Sequence, residues 1–169
     1  MTTSSTPRVV ISGSGLFQPA QVISNAELVA SYNAYADLQN AAHAEQIAAG
    51  TRQPLVHSSV EFIEKASGIR QRYVLDKAGV LDPTRMKPRF APRPDGELSL
   101  MAQIAVDAAK KAMAAAGKQG RDIDGVLCAA ANMQRAYPAM ACEIQAAIGA
   151  GGYGFDMNVA CSSATFAIE

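Results

Sequence analysis

The residue with most chemistry to offer is Cys161, within the closing stretch GYGFDMNVACSSATFAIE from Gly152 to Glu169. Gly154–Val159 reads as a short buried strand, and the small residues Ala160, Ser162, Ser163 and Ala164 let the chain turn tightly into a helix. A cysteine at such a junction meets unpaired backbone N–H groups and the positive end of the helix dipole. Both favour a thiolate over a thiol, so the spacing predicts a lowered pKa and a reactive thiol. The same residue could equally serve as a small apolar side chain, since free cysteine is among the most buried residue types. The local pattern leaves both readings open.

The other candidate groups are weaker. Cys128 lies in the apolar run Val126–Ala131 and reads as core, and Cys142 falls on a helix and reads as packing. Three cysteines without metal-ligand spacing suit reduced thiols in a cytoplasm. His43 sits in a polar helix and His57 in a loop, and no spacing supports a Cys161–His57 dyad. Gly13-Ser14-Gly15 lacks the third glycine of a dinucleotide loop. Gly149, Gly151 and Gly154 do match G-x-G-x-x-G, but they follow a helix and lead into a strand, the reverse of a phosphate-binding turn. Both sets read as turn glycines.

Positioning Cys161 requires a sheet. The 169 residues suffice for a domain with a core, and 49% hydrophobic with 18% charged residues is ordinary globular composition. Fifteen basic residues balance fifteen acidic ones, which gives neither nucleic acid nor an anionic membrane a reason to bind. MTTSSTPR has no apolar core of a signal peptide, and no apolar run approaches the ~20 residues of a membrane span.

Met1–Pro7 reads as a frayed polar start and Arg8–Ser12 as a β-branched strand. Ser24-Asn25-Ala26-Glu27 is a capping box that opens a helix reaching Gly50 with a break. A second box, Ser58 to Glu61, opens a short helix with Phe62, Ile63 and Ala66 inward, closed by Gly68. Leu75–Glu97 is rich in proline and positive charge and has no periodicity. It reads as a surface loop, with docking of an acidic carrier protein as the alternative. Leu98–Ala116 is an alanine-rich helix ended by Gly117, suited to close packing on a neighbour. Val126–Ala131 is a strand covered on both faces. After the loop Asn132–Tyr137, Pro138 is placed as the first residue of a helix ending at Ile148. Alternating strands and helices imply a parallel α/β sheet.

NVACSSATF resembles the nucleophile segment of the β-ketoacyl-ACP synthase III family, in the thiolase superfamily. VVISGSGLFQPAQVISNAEL, EFIEKASGIRQRYV and ANMQRAYPAMACEIQAAIG extend the resemblance in family order. The family's chains are roughly twice as long, so the likeness covers an N-terminal half, residues 1–169, and stops inside the nucleophile helix. It implies a thiolase-like layered αβαβα fold, of which this chain supplies most of the N-terminal half. Residues 36–57 and 75–97 stand out as insertions or loops, the first lying near the mouth of the family's acyl tunnel.

The resemblance further implies a two-stage Claisen condensation. Cys161 takes an acyl group from an acyl-CoA primer, with a medium-chain primer as one option, and malonyl-ACP supplies the carbanion after losing carbon dioxide. No cofactor or metal is implied. Acyl carrier protein, a C-terminal half carrying the family's histidine and asparagine, and a second copy of the complete unit are the implied partners. Phe62 stands where many members place a tryptophan against the adenine of coenzyme A, and it could instead be core. Ala66 stands where many have an arginine, and neighbouring Lys65 can only partly replace that charge. Tyr137 matches the aromatic that crosses the dimer interface into the partner's acyl pocket. Two alternatives stand beside this reading: another condensing or acyl-transfer enzyme of the superfamily, such as a thiolase or hydroxymethylglutaryl-CoA synthase, and a non-catalytic assembly subunit.

Overall fold

The computed structural model describes residues 9–169. Met1–Pro7 and Arg8, read above as a frayed start and the first residue of a strand, lie outside them. The chain divides into two compact units, one of Gln18–Ala91 and one of Met1–Phe17 with Pro92–Glu169.

In the Gln18–Ala91 unit, β1 (Gln21–Ser24) pairs antiparallel with β2 (Gln71–Val74), with Gln21 opposite Val74 and Ser24 opposite Gln71. Neither strand was expected, because four residues are too few for a periodic signal. Helix α1 (Asn25–Ala42) starts at the capping box foreseen, in which Ser24 Oγ accepts from Glu27 N and the Glu27 carboxylate accepts from Ser24 N. A break at His43 separates it from α2 (Ala44–Ala48), and Gly50 follows with φ of 71°. The segment 36–57 is therefore largely helical before it becomes loop.

Helix α3 (Val60–Ser67) is capped by Ser59, whose Oγ accepts from Phe62 N at 3.1 Å, and not by Ser58. The Ser58 backbone is instead clamped to Asn33: Ser58 N donates to Asn33 Oδ1 at 2.9 Å and Asn33 Nδ2 donates to Ser58 O at 3.1 Å. No residue of α3 is buried, so the expectation that Phe62, Ile63 and Ala66 face a core is corrected. Within 75–97, a single turn α4 (Lys77–Val80) forms on the Asp76 cap, and the rest is loop.

The second unit holds a hydrophobic core of Ala102, Val106, Val126, Met140, Ala141 and Ile144. Helix α5 (Leu100–Ala116) begins two residues later than expected, because Ser99 Oγ caps Ala102 N, and ends at left-handed Gly117. Strand β3 (Gly125–Ala129), helix α6 (Met140–Ile148) and strand β4 (Tyr153–Met157) form a parallel βαβ unit, with Gly125 opposite Tyr153 and Ala129 opposite Met157. The strands are covered on one face only. Leu127 and Phe155 face each other in register and are both partly exposed, with Tyr153 stacked on Phe155.

Val9–Ser12 does not form the expected strand. Val9 is 96% exposed, and among the described residues the segment makes no ladder bond. β-Branched residues suit a pleated surface but create no strand without a partner whose N–H and C=O groups are free. Gly13 and Gly15 are also corrected. They are not turn glycines but points of close approach, since a Cβ on Gly13 would lie 2.5 Å from Ala112 O and one on Gly15 would strike Ala108 O. That contact, held further by Lys111 Nζ donating to Leu16 O at 2.8 Å, accounts for the alanines of α5. No helix of the described residues is long and apolar enough to cross a membrane.

Candidate active site around Cys161

Strand β4 delivers the chain to Asn158 and Val159, and a 3-10 turn, Ala160–Ser162, carries Cys161 into α7 (Ser163–Ile168). Cys161 is thus at a strand-to-helix junction, yet before the first α-helical residue rather than on it. Ala160 has φ of 52°, in the left-handed region that a non-glycine residue enters at a cost. Three hydrogen bonds hold it there. Ser163, almost wholly buried, accepts from Val159 N at 2.9 Å and donates to Ala160 O at 2.8 Å, while Ala160 N donates to Asn158 Oδ1 at 3.2 Å. The turn therefore projects Cys161 outward, and its thiol is free and exposed. Its N–H has no hydrogen-bond partner among the described residues, so it can donate to an incoming oxygen.

Asp156, on β4, is the residue whose role the spacing did not reveal. Its two carboxylate oxygens accept from Met140 N and Ala141 N, both at 2.8 Å. It caps α6 from another element, and carboxylate bonds of this kind are roughly twice as strong as neutral ones. Pro138 is accordingly not the first helical residue: it follows Tyr137 through a cis bond, and α6 begins at Met140 after Ala139. A carboxylate two residues into a strand's end, facing a helix fifteen residues earlier, leaves only a weak sequence signal.

Tyr137, immediately before that proline, is 92% exposed and lines an open cavity of about 740 Å³ with Arg135, Glu143, Leu98 and Ala147. Glu143 lies at its base, accepting from Ser99 N at 2.8 Å through Oε2, with Oε1 3.6 Å from Arg135 Nη1. Phe62 belongs to the other unit. It is 67% exposed and lines a cavity of about 500 Å³ with Tyr32, Val56, His57 and Ser59, leaving a ring face open. Ala66 and Lys65 are exposed on the same helix.

The remaining candidates separate cleanly. Cys128 is half-buried opposite Asp156, and burial first, then that carboxylate, pushes its thiol pKa up, away from nucleophilic use. Cys142 is exposed, against the expectation that it packs, because the buried face of α6 is carried by Met140, Ala141 and Ile144. His43 Nδ1 meets Gln39 O at 2.8 Å, and His57 Nε2 meets Asp37 Oδ1 at 2.7 Å within the Gln18–Ala91 unit. Gly149 is the left-handed C-cap of α6, in keeping with a turn glycine and not a phosphate loop.

The chain matches no family model. It is 53% identical over 139 residues to the β-ketodecanoyl-[acyl-carrier-protein] synthase of Pseudomonas aeruginosa, covering 82% of this chain and 40% of that protein. It is 30% identical over 161 residues to the β-ketoacyl-[acyl-carrier-protein] synthase III of Bordetella petrii, covering 95% and 37%. The chain belongs to the β-ketoacyl-ACP synthase III family, as its N-terminal part. It spans about two-fifths of the length of these curated relatives.

Solved structures give the same fold. The 3-oxoacyl-[acyl-carrier-protein] synthase III of Aquifex aeolicus aligns with a TM-score of 0.60 at 24% identity, over 92% of this chain and 36% of that one. OleA of Xanthomonas campestris aligns with 0.61 at 15%, over 94% and 36%. The architecture is part of the thiolase-like α/β fold, about a third of those chains.

Proposed function

We propose that the chain is the nucleophile-bearing part of an acyltransferase of fatty acid biosynthesis, which condenses an acyl-CoA primer with malonyl-ACP. In the first stage the Cys161 sulfur attacks the primer's thioester carbonyl, and coenzyme A leaves with the proton that the thiol gives up. The Cys161 N–H would donate to the developing oxyanion. In the second stage malonyl-ACP loses carbon dioxide, and the electron pair left on its α-carbon attacks the acyl-Cys161 carbonyl. A carbon–carbon bond forms, the carbon–sulfur bond breaks, and the released Cys161 thiolate takes a proton from water as β-ketoacyl-ACP departs, two carbons longer than the primer. The histidine and asparagine that assist decarboxylation in the resembled family would come from the remaining part of the complete enzyme. Phe62 would offer its open ring to the adenine of coenzyme A, and Tyr137 would line the acyl pocket of a second copy in a homodimer. A cytoplasmic setting suits three free thiols.

The observation that carries this reading is the 53% identity to a β-ketodecanoyl-ACP synthase. A ten-carbon β-keto product formed by two-carbon addition requires an eight-carbon primer, so octanoyl-CoA is the primer proposed here. The segment 36–57, near Phe62, is where this chain would differ from acetyl-accepting members.

Mass spectrometry of the digested complete enzyme after incubation with octanoyl-CoA tests the assignment. Octanoyl on Cys161 is expected, with Cys161→Ala abolishing loading and leaving the circular dichroism unchanged. Acyl on Cys128 or Cys142 with Cys161 unmodified would overturn it, and a clear preference for acetyl-CoA would overturn the chain length. The exposed apolar residues Leu127, Phe155, Phe166 and Ile168 support a C-terminal part packed against this one. A folded, monodisperse 17.7 kDa monomer with no companion polypeptide would count against that partner.

A further inference from the structure

We infer that Asp156 is a positioning residue that sets primer selectivity by tying the Tyr137 loop to the strand that carries Cys161. Its carboxylate is fixed on β4, five residues before Cys161, and receives the first two N–H groups of α6 at 2.8 Å each. Tyr137 and cis Pro138 precede those groups with only Ala139 between, and the loop from Asn132 has no regular structure of its own. The exposed Tyr137 ring therefore takes its place from the start of α6, and α6 takes its start from Asp156.

Cys161 is held differently. Strand β4 is in register with β3 as far as Met157, and the turn beyond it is closed by Ser163 and Asn158. Loss of the Asp156 carboxylate would release the loop while leaving the nucleophile turn in place. The inference rests on the acyl-transfer reading above, in which Tyr137 lines the acyl pocket of a second copy, so the selectivity it sets is that of the partner's Cys161.

The test compares wild type, Asp156→Asn and Val106→Ala as complete enzymes. Val106 is buried in α5, in the core that Met140 and Ala141 share, and separates loss of apolar packing beneath α6 from loss of the carboxylate. Two readouts are taken: hydrogen exchange of peptides covering 132–141 and 158–165, and the ratio of octanoyl to acetyl loading rates on Cys161. Asp156→Asn should speed exchange in 132–141 about tenfold, since exchange reports local opening, and leave 158–165 unchanged. It should also lower the loading ratio at least about fivefold, while Val106→Ala does neither. Unchanged exchange in 132–141, or a changed exchange with an unchanged loading ratio, would overturn the inference. An equal shift in Val106→Ala would do so too. Where Asp156→Asn fails to fold, Asp156→Glu keeps the charge but moves it by one methylene, and a smaller change in the same direction is required. Failure of the wild type to load either acyl group, with exchange behaving as stated, would instead overturn the acyl-transfer reading and with it the selectivity role.

Discussion

The two units of this chain are held together by different means. The unit carrying Cys161 has a contiguous apolar core drawn from α5, β3 and α6, to which Met140, Ala141 and Ile144 bring one helix face. The Gln18–Ala91 unit buries only Ile23 and Ala36 among its hydrophobic residues. It relies on side chains clamping distant backbone: Asn40 exchanges two hydrogen bonds with Leu55, Asn33 does the same with Ser58, and Asn25 donates to Ile69 O. Apolar packing is non-directional and tolerates small shifts, whereas paired amide clamps fix a loop in one geometry. The turn that carries Cys161, strained at Ala160, thus stands on the packed unit. The open Phe62 cavity, which has to admit and release a ligand in the proposed reaction, stands on the clamped one.

The comparison breaks most readily at Met140. It is fully buried, so Met140→Ala should cost about 2–5 kcal/mol by urea denaturation. Protection should fall in the β3 and β4 amides. Equal loss of protection across Gln18–Ala91 would erase the distinction between the units. A smaller effect, about 1–2 kcal/mol, is expected for Asn40→Ala, which leaves the Leu55 N–H and C=O without their partner. Faster exchange should then be confined to the neighbourhood of Leu55, and spread into the apolar core would contradict the clamp.

The smallest effect concerns acid. The Lys77 ammonium, 2.6 Å away, and then the Ser24 N–H hold the Glu27 carboxyl down to about 2, below its ordinary 4.5. A carboxyl lowered in the folded state adds stability above its unfolded value. That stability is lost as the pH falls from about 4.5 towards about 2. Thermal melts of wild type and Glu27→Gln should therefore converge across that window. Parallel curves would show that the contact contributes nothing to the capping box.

What could be read directly was local. Ser24 with Glu27, Gly68, Gly117 and Gly149 announced helix ends because a cap satisfies backbone groups within a few residues. The order of β3, α6 and β4 implied a parallel crossover, and the blocks flanking Cys161 carried the family likeness. Ser58 misled by one position because both neighbouring serines can cap, and the choice went to the one not already engaged by Asn33.

What only tertiary structure decided depended on partners far along the chain. Val9–Ser12 has strand-forming residues but no neighbour to pair with, while β1 and β2 pair despite their brevity. Gly13 and Gly15 were needed for an approach to α5 nearly a hundred residues away, which no turn rule foresees. Asp156 looked like an ordinary strand residue, and became the cap of α6 only when the crossover brought Met140 and Ala141 to its oxygens. A cap i to i+3 is written in consecutive residues; a carboxylate reaching a helix on the far side of a turn is written only in the fold.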